Sequence, residues 1–442
     1  SVAVAAAAAR SLARAEDPEV DDAGRGLPAR VDLVDLLGVE RLTPVAIAAR
    51  WQAAGPDPRS TAVLGRGDDG PCVLDLAADG PHALVAGTTG AGKSELLRSL
   101  VTSLAVGSSP RYLTFVLVDF KGGSAFDACA RLPHTTGLVT DLDDHLAARA
   151  LRCLDAELRH RERRLRAAGA TDLAAFRARP GAAAEAPLPR LVVVVDEFAT
   201  LAAELPDFVD ALVGIAQRGR SLGVHLILAT QRPSGAVSDN IRANTALRIA
   251  LRVQDRADSS DVLEVPDAAT LPRGVPGRAL VRLGPGEPAM VQTAYTGGTR
   301  DRTSQAAVTV QPLGSLPSQA SPTPDRADAA GLGVATREVD ATGVGGVDAA
   351  GVTAGASGVV ATAGVRAVGA PSAGATGPPS DLDRLVGHLA EAWARLGGDP
   401  PRPAWPEPLP EVLPGPPEDP GCPSDALTLG EADDPDHQRR VP

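Results

Sequence analysis

HALVAGTTGAGKSELLRSL, residues 82–100, decides how this chain is read. An apolar strand, Ala83 to Ala86, runs into a glycine-rich turn, and the turn opens a helix whose first turn carries Lys93 and Ser94. Gly87, Thr88, Thr89, Gly90, Ala91, Gly92, Lys93 and Ser94 satisfy every fixed position of the P-loop pattern. Glycines let backbone N–H groups turn inward and line a concavity of partial positive charge. The helix N-terminus adds its dipole, which suits a triphosphate. Lys93 is placed to reach the β- and γ-phosphates, and the Ser94 hydroxyl to hold Mg2+. The candidate nucleotide-binding stretch runs from Gly87 through Glu95. A turn that merely joined strand to helix would need neither the lysine nor the serine.

A P-loop alone says phosphate binding, and hydrolysis needs more parts. In LVVVVDEF, residues 191–198, four valines deliver Asp196 and Glu197 to the end of a buried strand. An aspartate there holds Mg2+ through water, and an adjacent glutamate polarises the attacking water. Gln231 ends the next apolar strand, where a polar side chain senses the γ-phosphate. VDFKGGSAF, residues 118–126, puts Asp119 and Lys121 at another strand's C-terminal end, the edge that faces the ligand crevice in an open α/β sheet. Lys121 reads equally as a site residue and as a solvated turn lysine. Arg159, Arg161, Arg163, Arg164 and Arg166 lie on a long helix, and such charge is usually a solvated face.

Around these motifs the chain alternates strand and helix. TFVLVDF (114–120), LVVVVDEF, VHLILAT (224–230), RIALRV (248–253), RALVRL (278–283) and AMVQTAY (289–295) read as strands. Between them, residues 145–169 form a helix with Leu146, Ala150, Leu154 and Leu158 on one face, and residues 208–223 form another that stops at Gly223. Central strands this apolar indicate an α/β fold with a mostly parallel sheet covered by helices on both faces. Upstream, residues 1–16 read as helix from their alanine content, and residues 31–52 as two short helices, the second with Thr43 as N-cap and Pro44 following it. Residues 63–76 read as a hairpin that would cover the edge of the nucleotide site.

The net charge of -12 and the 2% aromatic content lower the expectation of a broad nucleic-acid grip or a stacking platform. Cys72, Cys129, Cys153 and Cys422 have no metal-ligand spacing and fit a reducing compartment. No apolar run has membrane-spanning length, and the start at Ser1 inside an alanine-rich stretch suggests a piece of a longer protein. From about 297 to 380, Gly, Ala, Thr, Ser and Pro dominate, which predicts a disordered linker or insertion. Residues 381–397 read as an amphipathic helix, followed by a proline-rich run. SDALTLGEADDPDHQRRVP (424–442) echoes STAVLGRGDDGPCVLDL (60–76), which suggests a tandem repeat whose second copy has just begun.

GTTGAGKS (87–94), VDFKGG (118–123), VVVVDEF (192–198), GRSLGVHLILATQRPS (219–234) and NIRANTALRIALRV (240–253) together resemble the FtsK/SpoIIIE family of ring-forming motor ATPases. The resemblance covers about residues 30–296. It implies a RecA-like P-loop NTPase core, ATP and Mg2+ as ligands, hydrolysis of ATP, and assembly as a hexamer or tandem array that moves a polymer. VDFKGG and LPHTTGLVTDLD (132–143) look more like the EccC ATPases of type VII secretion than the chromosome translocases. That likeness implies a secreted protein as the moved polymer, and work at the cytoplasmic face of the membrane beside membrane-embedded partners reached through parts outside this chain. Double-stranded DNA is the alternative polymer, and a nucleotide-gated docking scaffold with little hydrolysis is the alternative role. By resemblance, Arg161 is the best candidate for a finger acting in trans on a neighbour's γ-phosphate, with Arg159 and Arg163 close by. The expected organisation is a helical connecting segment (1–58), the ATPase domain (59–297), a low-complexity linker (298–380), and a helix and proline-rich segment leading into a truncated second module (381–442).

Overall fold

The computed structural model describes residues 26–55, 58–119, 124–140, 144–181, 185–204, 206–299, 378–404, 432–434 and 439–441. The sequence readings of residues 1–16, of Lys121 and of the Gly/Ala-rich stretch fall outside them.

In chain order the elements begin with β1 (Val31–Asp32), α1 (Leu33–Leu37), α2 (Pro44–Ala53), β2 (Thr61–Gly67), β3 (Gly70–Asp75) and β4 (His82–Ala86). Then come α3 (Lys93–Gly107), β5 (Leu113–Asp119), α4 (Asp127–Ala130), β6 (Thr135–Thr140), α5 (Asp144–Ala167), α6 (Leu173–Ala178) and β7 (Arg190–Asp196). The chain continues through α7 (Phe198–Glu204), α8 (Pro206–Leu222), β8 (Val224–Thr230), α9 (Asp239–Asn244), β9 (Leu247–Leu251), α10 (Arg256–Leu263), β10 (Arg278–Leu283) and β11 (Ala289–Tyr295). Last are α11 (Asp381–Arg395), β12 (Ala432–Asp434) and β13 (Arg439–Val441).

One sheet organises the chain, in the order β3-β2-β11-β10-β9-β4-β8-β7-β5-β6, with β1 paired to β11. The run from β9 to β6 is parallel, as the apolar strands require, and β9, β10, β11, β2 and β3 extend it antiparallel. Every residue of β4, β5, β7 and β8 is buried, because helices cover both faces. One face packs on α3 through Leu96, Leu100 and Leu104, and the other on α5 and α8 through Leu154, Leu158 and Leu212. Strand β8 stands between the loop strand β4 and the acid strand β7. This order sets the loop, the acidic pair and Gln231 on three adjacent strands that all end at one edge.

Several local readings hold. Thr43 caps α2, its Oγ1 accepting from Ala46 N at 3.2 Å. Ala150, Leu154 and Leu158 of α5 are buried on one side. The hairpin β2–β3 lies elsewhere than expected. Three strands separate it from β4, so it finishes the sheet and packs on α3, Val63 N donating to Ser103 Oγ at 2.7 Å. The neighbour of the P-loop is instead the segment before β10, where Gly277 N donates to Ala91 O at 2.8 Å.

Helix α11 joins the core of the sheet domain. Its Leu382, Leu385, Val386, Leu389 and Ala392 are buried in the same cluster as Leu97, Leu104 and Trp51. Full burial of a leucine or valine side chain stabilises by about 1.5–3 kcal/mol. Ser380 and Asp383 form a capping box at its start. Asp381 N and Leu382 N donate to Gly298 O and Thr296 O at 2.6 and 3.0 Å, so the chain returns at residue 381 to the place it left at 298. Beyond α11, Arg402 pairs with Glu157 at 3.2 Å and Ala404 N donates to Thr136 O on the edge strand β6.

Candidate active site

The P-loop is held by backbone bonds from its two neighbours. Gly87 N donates to Thr230 O at 3.1 Å, at the end of β8. Thr88 N and Oγ1 both donate to Arg252 O, just past β9, at 2.9 and 3.1 Å. Gly90 and Gly92 take φ of 77° and 103°, the left-handed region that glycine enters without cost. A Cβ on Gly92 would lie 2.9 Å from Gly277 N, so the tight approach of the two backbones also excludes a side chain there. Gly92 caps α3 without a side-chain cap, so the first helical turn leaves N–H groups without helical partners.

Lys93 is 5% exposed, and its Nζ bonds to Asp196 Oδ1 and lies 2.8 Å from Glu197 Oε1. Asp196 and Glu197 are themselves 4% and 5% exposed. Burying three charges is costly unless they are paired, and here they pair with one another. Asp196 ends β7. Glu197 leaves the strand at φ 60°, and its N–H donates to Asp196 Oδ1 at 2.9 Å. A non-glycine residue in this region stores strain, and such strain gathers at functional sites. The register of β5 on β7 sets buried Asp119 beside Asp196. Gln231 follows β8 directly, and its Oε1 accepts from Thr89 Oγ1 at 2.6 Å. Glu197, Thr200, Thr230, Gln231 and Arg232 line a cleft of about 710 Å³ next to the acid. A cavity of about 790 Å³, lined by Trp51, Tyr112, Trp393 and Arg402, is at the other end of the sheet and contains none of these groups.

These groups fit a magnesium nucleotide. The glycine cradle and Lys93 suit phosphates, while half-buried Ser94 and Asp196 offer the two ligands that Mg2+ takes when phosphates and water supply the rest. Among the described residues, no three His, Cys, Asp or Glu side chains converge as an all-protein metal cage, which such an ion does not need. Glu95 sits in the same turn, with its carboxylate on Arg98 at 2.6 Å.

Arg161 is not brought to this edge. Its side chain is 2% exposed, with Nε on Glu157 Oε1 at 2.8 Å and Nη1 on Leu222 O at 3.0 Å, at the end of α8. Burial lowers its pKa from the usual arginine value. The finger expectation finds no support in this placement, because the guanidinium is enclosed between α5 and α8 and bonded within its own chain. The sequence carried a signal for this. Leu154, Leu158, Arg161 and Leu165 follow at spacings of four, three and four, so Arg161 continues the apolar stripe. Arg159 instead faces outward and pairs with Asp155 at 2.7 Å.

A parallel sheet with a phosphate loop after one strand, an acidic pair after another and a polar side chain after the strand between them defines a P-loop ATPase fold. Residues 45–235 match the FtsK/SpoIIIE family. It is 40% identical over 288 residues to the type VII secretion system protein EssC of Staphylococcus aureus, covering 64% of this chain and 19% of that protein. It is 39% identical over 281 residues to the ESX secretion system protein EccC of Geobacillus thermodenitrificans, covering 61% and 19%. Among solved structures, the cytoplasmic domain of the type VII secretion ATPase EccC of Thermomonospora curvata aligns with a TM-score of 0.58 at 36% identity, covering 62% of this chain and 33% of that one. The chain thus spans about a fifth of the length of these curated relatives. No helix among the described residues is long and apolar enough to cross a membrane.

Proposed function

We propose that this chain is an ATP-hydrolysing motor module that couples turnover to the movement of a protein, in the manner of type VII secretion. The observation that carries the reading is the convergence of Lys93, Asp196, Glu197 and Gln231 on adjacent strand ends, in a domain closely related to EssC and EccC. The phosphates of ATP would lie along residues 87–95, with Lys93 leaving its carboxylates to neutralise the β- and γ-oxygens. Mg2+, held by Ser94 and Asp196, would supply further charge neutralisation there. Glu197, once released by Lys93, would orient water toward the γ-phosphorus and accept its proton as the bond to ADP breaks. Gln231 would donate to the γ-phosphate and relay its loss.

The module would work beside others. The antiparallel pair β12–β13 falls where the second copy of the 60–76 pattern is read, which supports a tandem arrangement of ATPase modules. A ring of such modules, on the cytoplasmic face of a membrane and anchored through parts outside this chain, would supply a cation in trans other than Arg161. Phosphate release and nucleotide binding test the reading: Lys93→Ala should abolish both. Turnover equal to wild type in that variant would place the chemistry elsewhere. Duplex binding that weakens with salt, together with DNA-stimulated turnover, would replace protein by DNA as the cargo.

A further inference from the structure

We propose that Thr89 is a positioning residue that sets the orientation of the Gln231 amide; the inference rests on the ATPase reading above. The two threonines of the P-loop have different duties. Thr88 gives both its N–H and its hydroxyl to Arg252 O, and so serves the loop's attachment to β9. Thr89 gives its hydroxyl proton to Gln231 Oε1 at 2.6 Å, at the short end of the range for O–H···O bonds. The Gln231 backbone is fixed independently. Thr230 is wholly buried, its carbonyl accepts from Gly87 N, and its Oγ1 accepts from Arg232 N at 3.1 Å. The amide is therefore tied to the phosphate loop at both its root and its tip.

The orientation matters because a primary amide has two unlike ends. The oxygen only accepts and the NH2 only donates. Phosphate oxygens only accept, so an amide turned oxygen-first would meet them with repulsion. With Oε1 engaged by Thr89, the two Nε2 protons are the end left to meet an acceptor. A P-loop side chain thereby selects which face of the sensor a γ-phosphate encounters, and loop movement on phosphate release would reach β8 through the same bond.

The test combines Thr89→Val, Thr89→Ser, Gln231→Ala and the Val/Ala double variant in the full chain, with ATP turnover and equilibrium binding of fluorescent ATP and ADP. A neutral hydrogen bond contributes about 0.5–1.5 kcal/mol, so Thr89→Val should lower kcat about two- to twelvefold. ADP affinity should hold while ATP affinity falls, so the preference for ATP over ADP should narrow. Thr89→Ser should restore kcat. In the Gln231→Ala background, Thr89→Val should cost nothing further, because its effect runs through the amide. An equal loss in that background, or an equal weakening of ADP, would overturn the proposal and give Thr89 a direct nucleotide contact. Wild-type chain that binds ATP without turnover would defeat the hydrolysis reading alone. The ATP-to-ADP affinity ratio would still judge the pair: narrowing in Thr89→Val supports it, and no change overturns it.

Discussion

The two ends of the central sheet both bury polar side chains, and they satisfy them in opposite ways. At the C-terminal end, Lys93, Asp196 and Glu197 satisfy one another, and Gln231 is held by Thr89. At the N-terminal end most of the partners are backbone carbonyls, with Glu157 beside Arg161 an exception. His82 bonds to Ala216 O, His225 to Pro81 O and His134 to Ser108 O, all at 2.7–2.9 Å. Arg161 donates to Leu222 O, and Arg177 to Tyr112 O and Leu188 O. A carbonyl in a folded backbone cannot swing away, so these bonds fasten helices to strands. A carboxylate on a rotatable side chain can exchange a lysine for a substrate. One end is therefore built to rearrange and the other to stay put.

Four changes would break or sharpen that contrast. Glu197→Gln should lower phosphate release by about a hundredfold or more while ATP binding and thermal unfolding stay near wild type, since general-base loss acts on the chemical step. Rapid turnover in that variant would remove the C-terminal end from the chemistry. Acid should act on the other end. Burial depresses the pKa of His82 and His134 to about 4 and of His225 to about 3. The unfolded chain takes up these protons near pH 6.5, before the folded one does. Stability is thus complete above that pH and falls as pH drops toward 4, by up to about 1.4 kcal/mol per unit for each histidine. Melting curves at pH 7.5 and 5 should show it, and equal midpoints would refute it.

Arg161→Met should lower the unfolding free energy in urea by about 3 kcal/mol, because Glu157 and Leu222 O lose a buried partner. In mixed assemblies it should not poison neighbouring subunits, whereas a trans-acting residue would. The smallest effect belongs to a helix cap on the surface. Thr43→Ala removes the cap on α2 and should cost about 1 kcal/mol by thermal melting, with turnover unaltered.

How legible each end was follows from the same difference. The C-terminal end announced itself because its side chains occupy short, contiguous motifs on strands of unbroken apolar residues. LVVVVDEF could hardly be anything but a central strand that delivers acids. The N-terminal end stayed hidden because its partners are backbone atoms distant in sequence, such as Ala216 for His82, and no residue pattern records a carbonyl. The burial of Arg161 was hard to read because five arginines in one helix look like a solvated face, although one of them interrupts a leucine stripe. The docking of α11 was invisible for a related reason. Its amphipathic pattern says that it packs, but its receiving groove is made by α2, α3 and α4, more than two hundred residues upstream. The φ of 60° at Glu197 was equally unreadable, since the strand pattern runs straight through it.

The closure at Gly298 and Asp381 has a practical side. Hydrogen bonds fasten the two ends of residues 299–380 at one point on the rim of the fold, beside β1 and the start of α11. Whatever is spliced between those ends alters neither the sheet order nor the spacing to β12. The position is thus a ready socket. A fluorescent or affinity domain placed there would travel with the ATPase core and leave Lys93 and its partners as they are.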